Sequence, residues 1–200
     1  SMVPIWKKSK SEINKEEYDN FYKENFFDSE APIKVIHTSV EGAVDFKALL
    51  YIPKNAPYNY YTKQYEKGLK LYTNGVMIME KCADLLPDYF SFVKGVVDSE
   101  ITLNISRETV QQTRQIKAIA QSVEKKIKSE LNDLLKNDRE LYEKFFKSFG
   151  LQLKFGIYQN FGMNKDILQD LLLFYSLKQD KLITLKEYVD SNDGDIYYVS

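Results

Sequence analysis

The apolar residues change their period several times along the chain, and each change marks an element. From Asn14 to Phe27, the residues Tyr18, Phe21, Tyr22 and Asn25/Phe26 recur three or four apart, which predicts a helix carrying one aromatic stripe. Asn14 is placed to cap it, with Glu17 three positions on to complete a capping box. Between Ile33 and Val40 the pattern alternates in twos, Glu41-Gly42 supplies a turn, and Val44 to Ile52 reads as a second strand closed by Pro53. Together they predict an antiparallel hairpin. Ala56 to Lys67 reads as a loop or short helix, and Leu69 to Met79 as an extended run with a break at Asn74-Gly75. Leu85 to Phe92 predicts a short helix interrupted by Pro87, and Val93 to Val97 a short strand or loop.

A long helix is expected from Ser106 to about Leu135. Its stripe of Val110, Ile116, Ile119, Val123, Ile127, Leu131 and Leu134 keeps the spacing of one buried face. Shorter helices are expected at Leu141–Phe149 and Ile167–Tyr175, a turn and helix at Leu182–Tyr188, and a final strand at Ile196–Val199. Asn137-Asp138-Arg139 is the junction expected between a larger front half and a smaller back half. The mixture of early hairpins and later helices predicts a layered α+β fold.

Composition narrows the function classes. Basic and acidic residues number 28 and 29 and are interleaved, so no one-signed face for nucleic acid is expected. Lys7, Lys8 and Lys10 are followed by Glu12, Glu16 and Glu17 and read as a solvated edge. An apolar share of 44% is enough for a core, and the 15 tyrosines and 12 phenylalanines serve either as core packing or as exposed rings that hold other proteins. The start of the chain carries no secretory pattern, and no apolar run reaches the ~18–20 residues of a membrane helix. With a single cysteine, Cys82, this agrees with a reducing, cytoplasmic setting without membrane contact. Ser1-Met2 reads as a remnant of cloning, so an excised piece of a longer protein is expected.

The common catalytic signatures are missing. Neither a P-loop nor a dinucleotide fingerprint occurs, and one histidine excludes a His-rich metal site, so no metal is expected. Cys82 and His37 are the residue types of a catalytic dyad, although such a pair is far more often structural. The stretch from Asp190 to Asp195 puts its glycine one place too early for a calcium loop and reads as an Asn- and Asp-rich turn. One stretch does carry chemistry: Leu103-Asn104-Ile105-Ser106-Arg107-Glu108. An arginine in the first turn of a long helix opposes the local dipole, Glu108 compensates it, and a guanidinium beside free backbone N–H groups suits phosphate. The other reading is an exposed arginine in an ordinary helix start capped by Ser106.

The same stretch, with Gln111 after it, resembles the Asn-hydrophobic-Ser-Arg-Glu signature of the HtpG-type chaperones of the heat-shock protein 90 family. Further segments are similar in order and spacing over essentially the whole chain. They are Tyr18–Lys23, Ser39–Gly42, Ala48–Pro57, Gly68–Met79, Pro87–Ser99, Ser148–Gly156, Thr184–Val189 and Ile196–Val199. The resemblance implies the middle domain of a dimeric ATP-dependent chaperone. Its fold would be a larger α/β/α sandwich over residues 1–136, a helical connection over 137–150 and a smaller α/β/α unit over 151–200. It also implies that Arg107 reaches the γ-phosphate of ATP, held with Mg by a separate N-terminal nucleotide domain, while Asn104, Glu108 and Gln111 support the arginine. A C-terminal dimerisation domain and unfolded or partly folded client proteins are the implied partners. The piece itself is expected to be monomeric, without cofactor and without activity alone, inside a homodimeric ATPase. Tyr58, Tyr60 and Tyr61 are the candidate client contacts. The alternative is a stand-alone protein-binding adaptor without ATPase coupling. Gly75 and Met77 stand where the family commonly carries an arginine and an aromatic.

Overall fold

Residues 2–100, 108–193 and 195–199 are described in the computed structural model, with the side chains of 108–113 excepted. They form two compact units, residues 1–130 and 131–200. The first is built on five strands: β1 (Lys34–Val40), β2 (Phe46–Ile52), β3 (Leu69–Thr73), β4 (Val76–Cys82) and β5 (Lys94–Ser99). Their order across the sheet is β1-β2-β5-β3-β4. All neighbours are antiparallel except β3 and β5, which run parallel.

Helices cover both faces, because the strands are apolar on both. On one face lies α1 (Lys15–Phe26), with the Asn14 cap and the reciprocal Glu17 bond that its sequence predicts. Its stripe enters an aromatic core in which Trp6, Tyr22, Leu49, Tyr51 and Val96 are buried and Tyr18, Phe21 and Phe26 pack around them. Phe27 ends the helix in a left-handed conformation (φ 54°). On the other face lies α2 (Glu108–Asn137), whose Ile119, Val123 and Ile127 are buried at four-residue spacing. Val123 lies beside Phe46 and Leu50 of β2, and Tyr89 donates a hydrogen bond to Glu124. The layered α+β class expected from the sequence is the one observed.

In the second unit α3 (Arg139–Tyr158) buries Tyr142, Phe145, Phe146, Phe149 and Leu153. Asp138 caps it by accepting from the Leu141 amide at 3.2 Å, and the Tyr142 hydroxyl donates to the Leu171 carbonyl. A short α4 (Lys165–Leu168) leads to the hairpin β6 (Phe174–Ser176) and β7 (Lys181–Ile183), and α5 (Leu185–Asp190) follows. Arg139 grips Glu187 of α5 through two bonds of 2.8 and 2.9 Å.

Two elements take a more definite form than the sequence expectation and three differ from it. Leu69 to Met79 is a hairpin, because Asn74 and Gly75 both take positive φ (50° and 81°), the geometry of the tight turn that joins twisted strands. The weak run Val93–Val97 is the middle strand of the sheet. The helix expected to end at Phe149 continues to Tyr158 along a buried face that includes Leu153 and Gly156, and Gly150 lies against the Phe146 ring, where a Cβ would come within 2.7 Å. Phe174 and Tyr175 are strand, and Ile196–Val199 forms none.

Gly95 fixes how β5 enters the sheet. With φ 151°, a Cβ there would stand 2.3 Å from the Leu49 carbonyl oxygen and 2.9 Å from Leu50 Cα, both backbone atoms of the paired strand β2. Gly95→Ala is therefore expected to destabilise the chain by at least about 3 kcal/mol, the upper end of overpacking costs, measured as a shift of the urea unfolding midpoint.

Candidate functional site

The segment that carries the arginine signature joins the end of β5 at Ser99 to the start of α2 at Glu108. Asn104 and Arg107 lie outside the described residues. Glu108 and Gln111 belong to the first turn of α2, and their side chains also fall outside the description. The structure does describe the seat from which this segment departs, and that seat is unusually well tied.

Alternation along β5 puts Val96 and Asp98 on the face covered by α1. Val96 joins the aromatic core, and two residues later Asp98 brings a buried carboxylate to the same face. Its Oδ2 accepts from the Trp6 indole N–H at 2.9 Å and lies 3.3 Å from Lys7 Nζ. Its Oδ1 accepts from the Gly75 amide at 3.1 Å. The Trp6 ring packs on Tyr72 with centroids 4.8 Å apart. Backbone bonds close the seat: the Asn74 amide donates to the Ser99 carbonyl (3.1 Å) and the Glu100 amide to the Asp45 carbonyl (3.4 Å). Beside it a cleft of about 270 Å³ is lined by Lys7, Ser39, Glu41, Lys47, Asn74 and Ser99, among others. Among the described residues Ser99 Oγ, buried there, has no hydrogen-bond partner.

The only histidine extends this network. His37 Nε2 lies 3.1 Å from the Trp6 carbonyl, which can only accept, so Nε2 carries the proton. In the neutral ring Nδ1 then accepts from the Tyr18 hydroxyl at 2.7 Å. Burial lowers the imidazole pKa, the bond to the Trp6 carbonyl works against this, and the charges of Lys10 and Lys47 add to the lowering. One residue type per strand thus clamps the N-terminal 3-10 turn (Ile5–Lys7): His37 from β1 and Asp98 from β5.

The remaining candidates separate cleanly. Tyr58 is fully exposed and Tyr61 half exposed. Tyr60 is a core residue: its own loop folds it inward, its hydroxyl meets Ser91 Oγ at 2.8 Å, and burial raises its pKa. Tyr60 is thereby removed from the three candidate client contacts, its part of the loop being folded onto the protein's own core. His37 and Cys82 are on strands at opposite edges of the sheet, four strand steps or roughly 19 Å apart, so they form no dyad. The sequence reading missed Phe27, 93% exposed, and the edge strand β4, where Val76, Met77, Ile78 and Met79 are all exposed. Continuous apolar runs in strands read as buried, so nothing in the pattern could have marked β4 as open. Among the described residues no three His, Cys, Asp or Glu side chains are grouped to hold a metal ion, and no helix is long and apolar enough to cross a membrane.

Comparison with known proteins gives a consistent result. The family model described as "Hsp90 protein" matches residues 1–200. Chaperone protein HtpG of Clostridium botulinum is 59% identical over the whole chain, and those of Clostridium acetobutylicum and Alkaliphilus oremlandii are each 60% identical. The chain covers 32% of each of these relatives, about a third of their length. Among solved structures, the middle domain of a putative heat shock protein from Plasmodium falciparum matches with a TM-score of 0.81 at 28% identity. That match covers 96% of this chain and 75% of the other.

Two measurements test the seat. Asp98→Ala strands the Trp6 indole, the Gly75 amide and Lys7 together, and is expected to cost about 3 kcal/mol by urea unfolding, with Asp98→Asn costing less. His37, whose folded pKa lies below 6.5, binds fewer protons than the unfolded chain between that pKa and 6.5. Its contribution to stability is therefore complete above pH 6.5 and lost as pH falls through the folded value. NMR titration of the single imidazole should give a midpoint below 6.5; a midpoint at or above 6.5 would contradict the burial of the ring as the dominant influence.

Proposed function

Because the chain belongs to the Hsp90 protein family and has the fold of a middle domain of that family, we propose that it is the middle segment of an ATP-dependent chaperone, in which Arg107 reaches the γ-phosphate of ATP bound by a separate nucleotide domain. The observation that carries this reading is the tied seat. Asp98 and its partners hold the end of β5, α2 begins at Glu108, and the segment with the arginine is bracketed by these two anchors. A guanidinium delivered from fixed ends loses less freedom on reaching a phosphate than one on a loose loop. A fixed positive charge placed where negative charge grows in the transition state lowers the barrier.

In this reading Asn104, Glu108 and Gln111 shape the first turn of α2 and the approach of the arginine. ATP and its Mg ion belong to the nucleotide domain. Phosphoryl transfer needs little covalent help from protein, so what this chain supplies is position and charge. The parent protein acts as a cytoplasmic homodimer held by a C-terminal dimerisation domain.

Client proteins are met by exposed apolar groups of the first unit: Tyr58 and Tyr61, together with Phe27 and the open strand β4. Rings and methionines suit partners of varied shape, because they bury area without demanding a fixed hydrogen-bond pattern.

The test is steady-state ATP hydrolysis by the full-length parent, wild type against Arg107→Ala, with ATP affinity measured alongside. Turnover is expected to fall by at least about tenfold, a smaller effect than the ~10³–10⁵ that arginine fingers supply elsewhere, while affinity stays within about twofold. Equal turnover in the two proteins would refute the assignment.

A further inference from the structure

The α1-covered face of the first unit carries two lysines that have no acidic partner among the described residues. Lys70 of β3 stands opposite Val96 of β5 in the parallel pair, and Lys94 is two residues before Val96. Both side chains therefore leave the same face, from strands about 4.8 Å apart. Each is half-buried, and each ammonium lies over a ring in place of a carboxylate. Lys70 Nζ is 5.3 Å from the centre of Phe26, and Lys94 Nζ is 4.8 Å from the centre of Tyr65. Among the described residues neither lysine has an acidic partner.

A third lysine sharpens the imbalance. Lys81 of β4 is held only by an exposed ion pair with Glu66 at 3.3 Å. Burial and, after it, the charge of Lys81 push the Lys94 amine below the usual lysine range. The ring beneath Lys94 is fixed, since the Tyr65 hydroxyl donates to the Ser91 carbonyl at 2.8 Å. A ring face holds a cation weakly, and two ammonium groups on adjacent strands repel each other.

We propose that Lys70, Lys94 and Lys81 form a binding site for a phosphate group on the open end of this face, separate from the Arg107 segment. The charges match: Lys70 and Lys94 leave two positive charges uncompensated, and a phosphate monoester carries about −1.5 to −2 at neutral pH. Three ammonium donors can each take an oxygen, and the Phe26 and Tyr65 rings already hold two of them in place, so little side-chain freedom remains to be lost. The phosphate is either free or esterified to a small molecule, and the rings give an ester group something to stack on.

The experiment is an NMR titration of the 200-residue chain with inorganic phosphate at constant ionic strength, following the Tyr65 ring and the Lys94 amine, with chloride as the control. A saturable shift is expected, with the Lys94 pKa rising as phosphate binds. Lys94→Met and Lys70→Met should each weaken binding by about tenfold or more. Lys94→Arg should hold it within about threefold, and exposed Lys63→Met should leave it unchanged. The arginine variant and the wild-type amine titration keep the test decisive if Lys94→Met does not fold. Phenyl phosphate binding more tightly than inorganic phosphate would identify an esterified ligand, and equal binding a free one. A response that fails to saturate, follows chloride, or persists in both methionine variants would overturn the site.

Discussion

A buried carboxylate that must find all its partners inside the protein organises the first unit. Asp98 sits buried on the middle strand of the sheet, and its two oxygens take donors from two places far apart in sequence. Trp6 and Lys7 come from the N-terminal turn and Gly75 from the hairpin between β3 and β4. An unpaired charge in such a position costs several kcal/mol, so the two segments are held to the carboxylate as strongly as it is held to them. The N-terminal segment has few apolar residues of its own and no strand to pair with. It stays on the sheet because the Trp6 indole serves two needs at once, filling the aromatic core with its ring and satisfying Asp98 with its N–H.

The same residue explains why the sheet needs its glycines and turn where they are. Gly95 lets β5 approach β2 closely enough to place Asp98 at the end of the strand. The Asn74-Gly75 turn aims an amide inward at the carboxylate, which requires positive φ at both positions. His37 then locks the Trp6 backbone from the opposite side of that segment. Three local features that look unrelated in the sequence are consequences of one charge.

What could be read from the sequence follows from the range of the forces involved. The Asn14–Glu17 box, the β1–β2 hairpin and the stripe of α2 are local patterns, and their periods declared them. The middle strand was the weakest reading in the sheet, because a strand buried on both faces shows no alternation and Lys94-Gly95 interrupts its apolar run. The helix expected over Leu141–Phe149 runs on through Gly150 to Tyr158, since a deeply buried face outweighs the intrinsic cost of a helical glycine, about 1 kcal/mol. Tyr60 and Tyr58 are indistinguishable by composition, and only tertiary packing turns one inward and leaves the other exposed. The arginine signature was legible as a resemblance. The Asp98 seat beneath it was not, because its bonds to Trp6 and Gly75 cross 92 and 23 residues.

The aromatic wealth of the chain therefore has two different meanings, and burial decides between them. Trp6, Tyr22 and Tyr51 bury their rings, and the hydroxyls of the two tyrosines end on Asp28 and on the Tyr18 carbonyl. Trp6 ties the sheet at Asp98, near the end of β5 from which the Arg107 segment leaves, while Tyr22 and Tyr51 pack toward the other end of that strand. Phe27, Tyr58 and Tyr61 do the reverse, offering rings to solvent at the edges of the same unit. A chaperone segment of the kind proposed here needs both. A rigid core sets where a charged group can be delivered, and adaptable apolar groups must remain outside it, since a ring satisfied within the fold has nothing left to offer a partner.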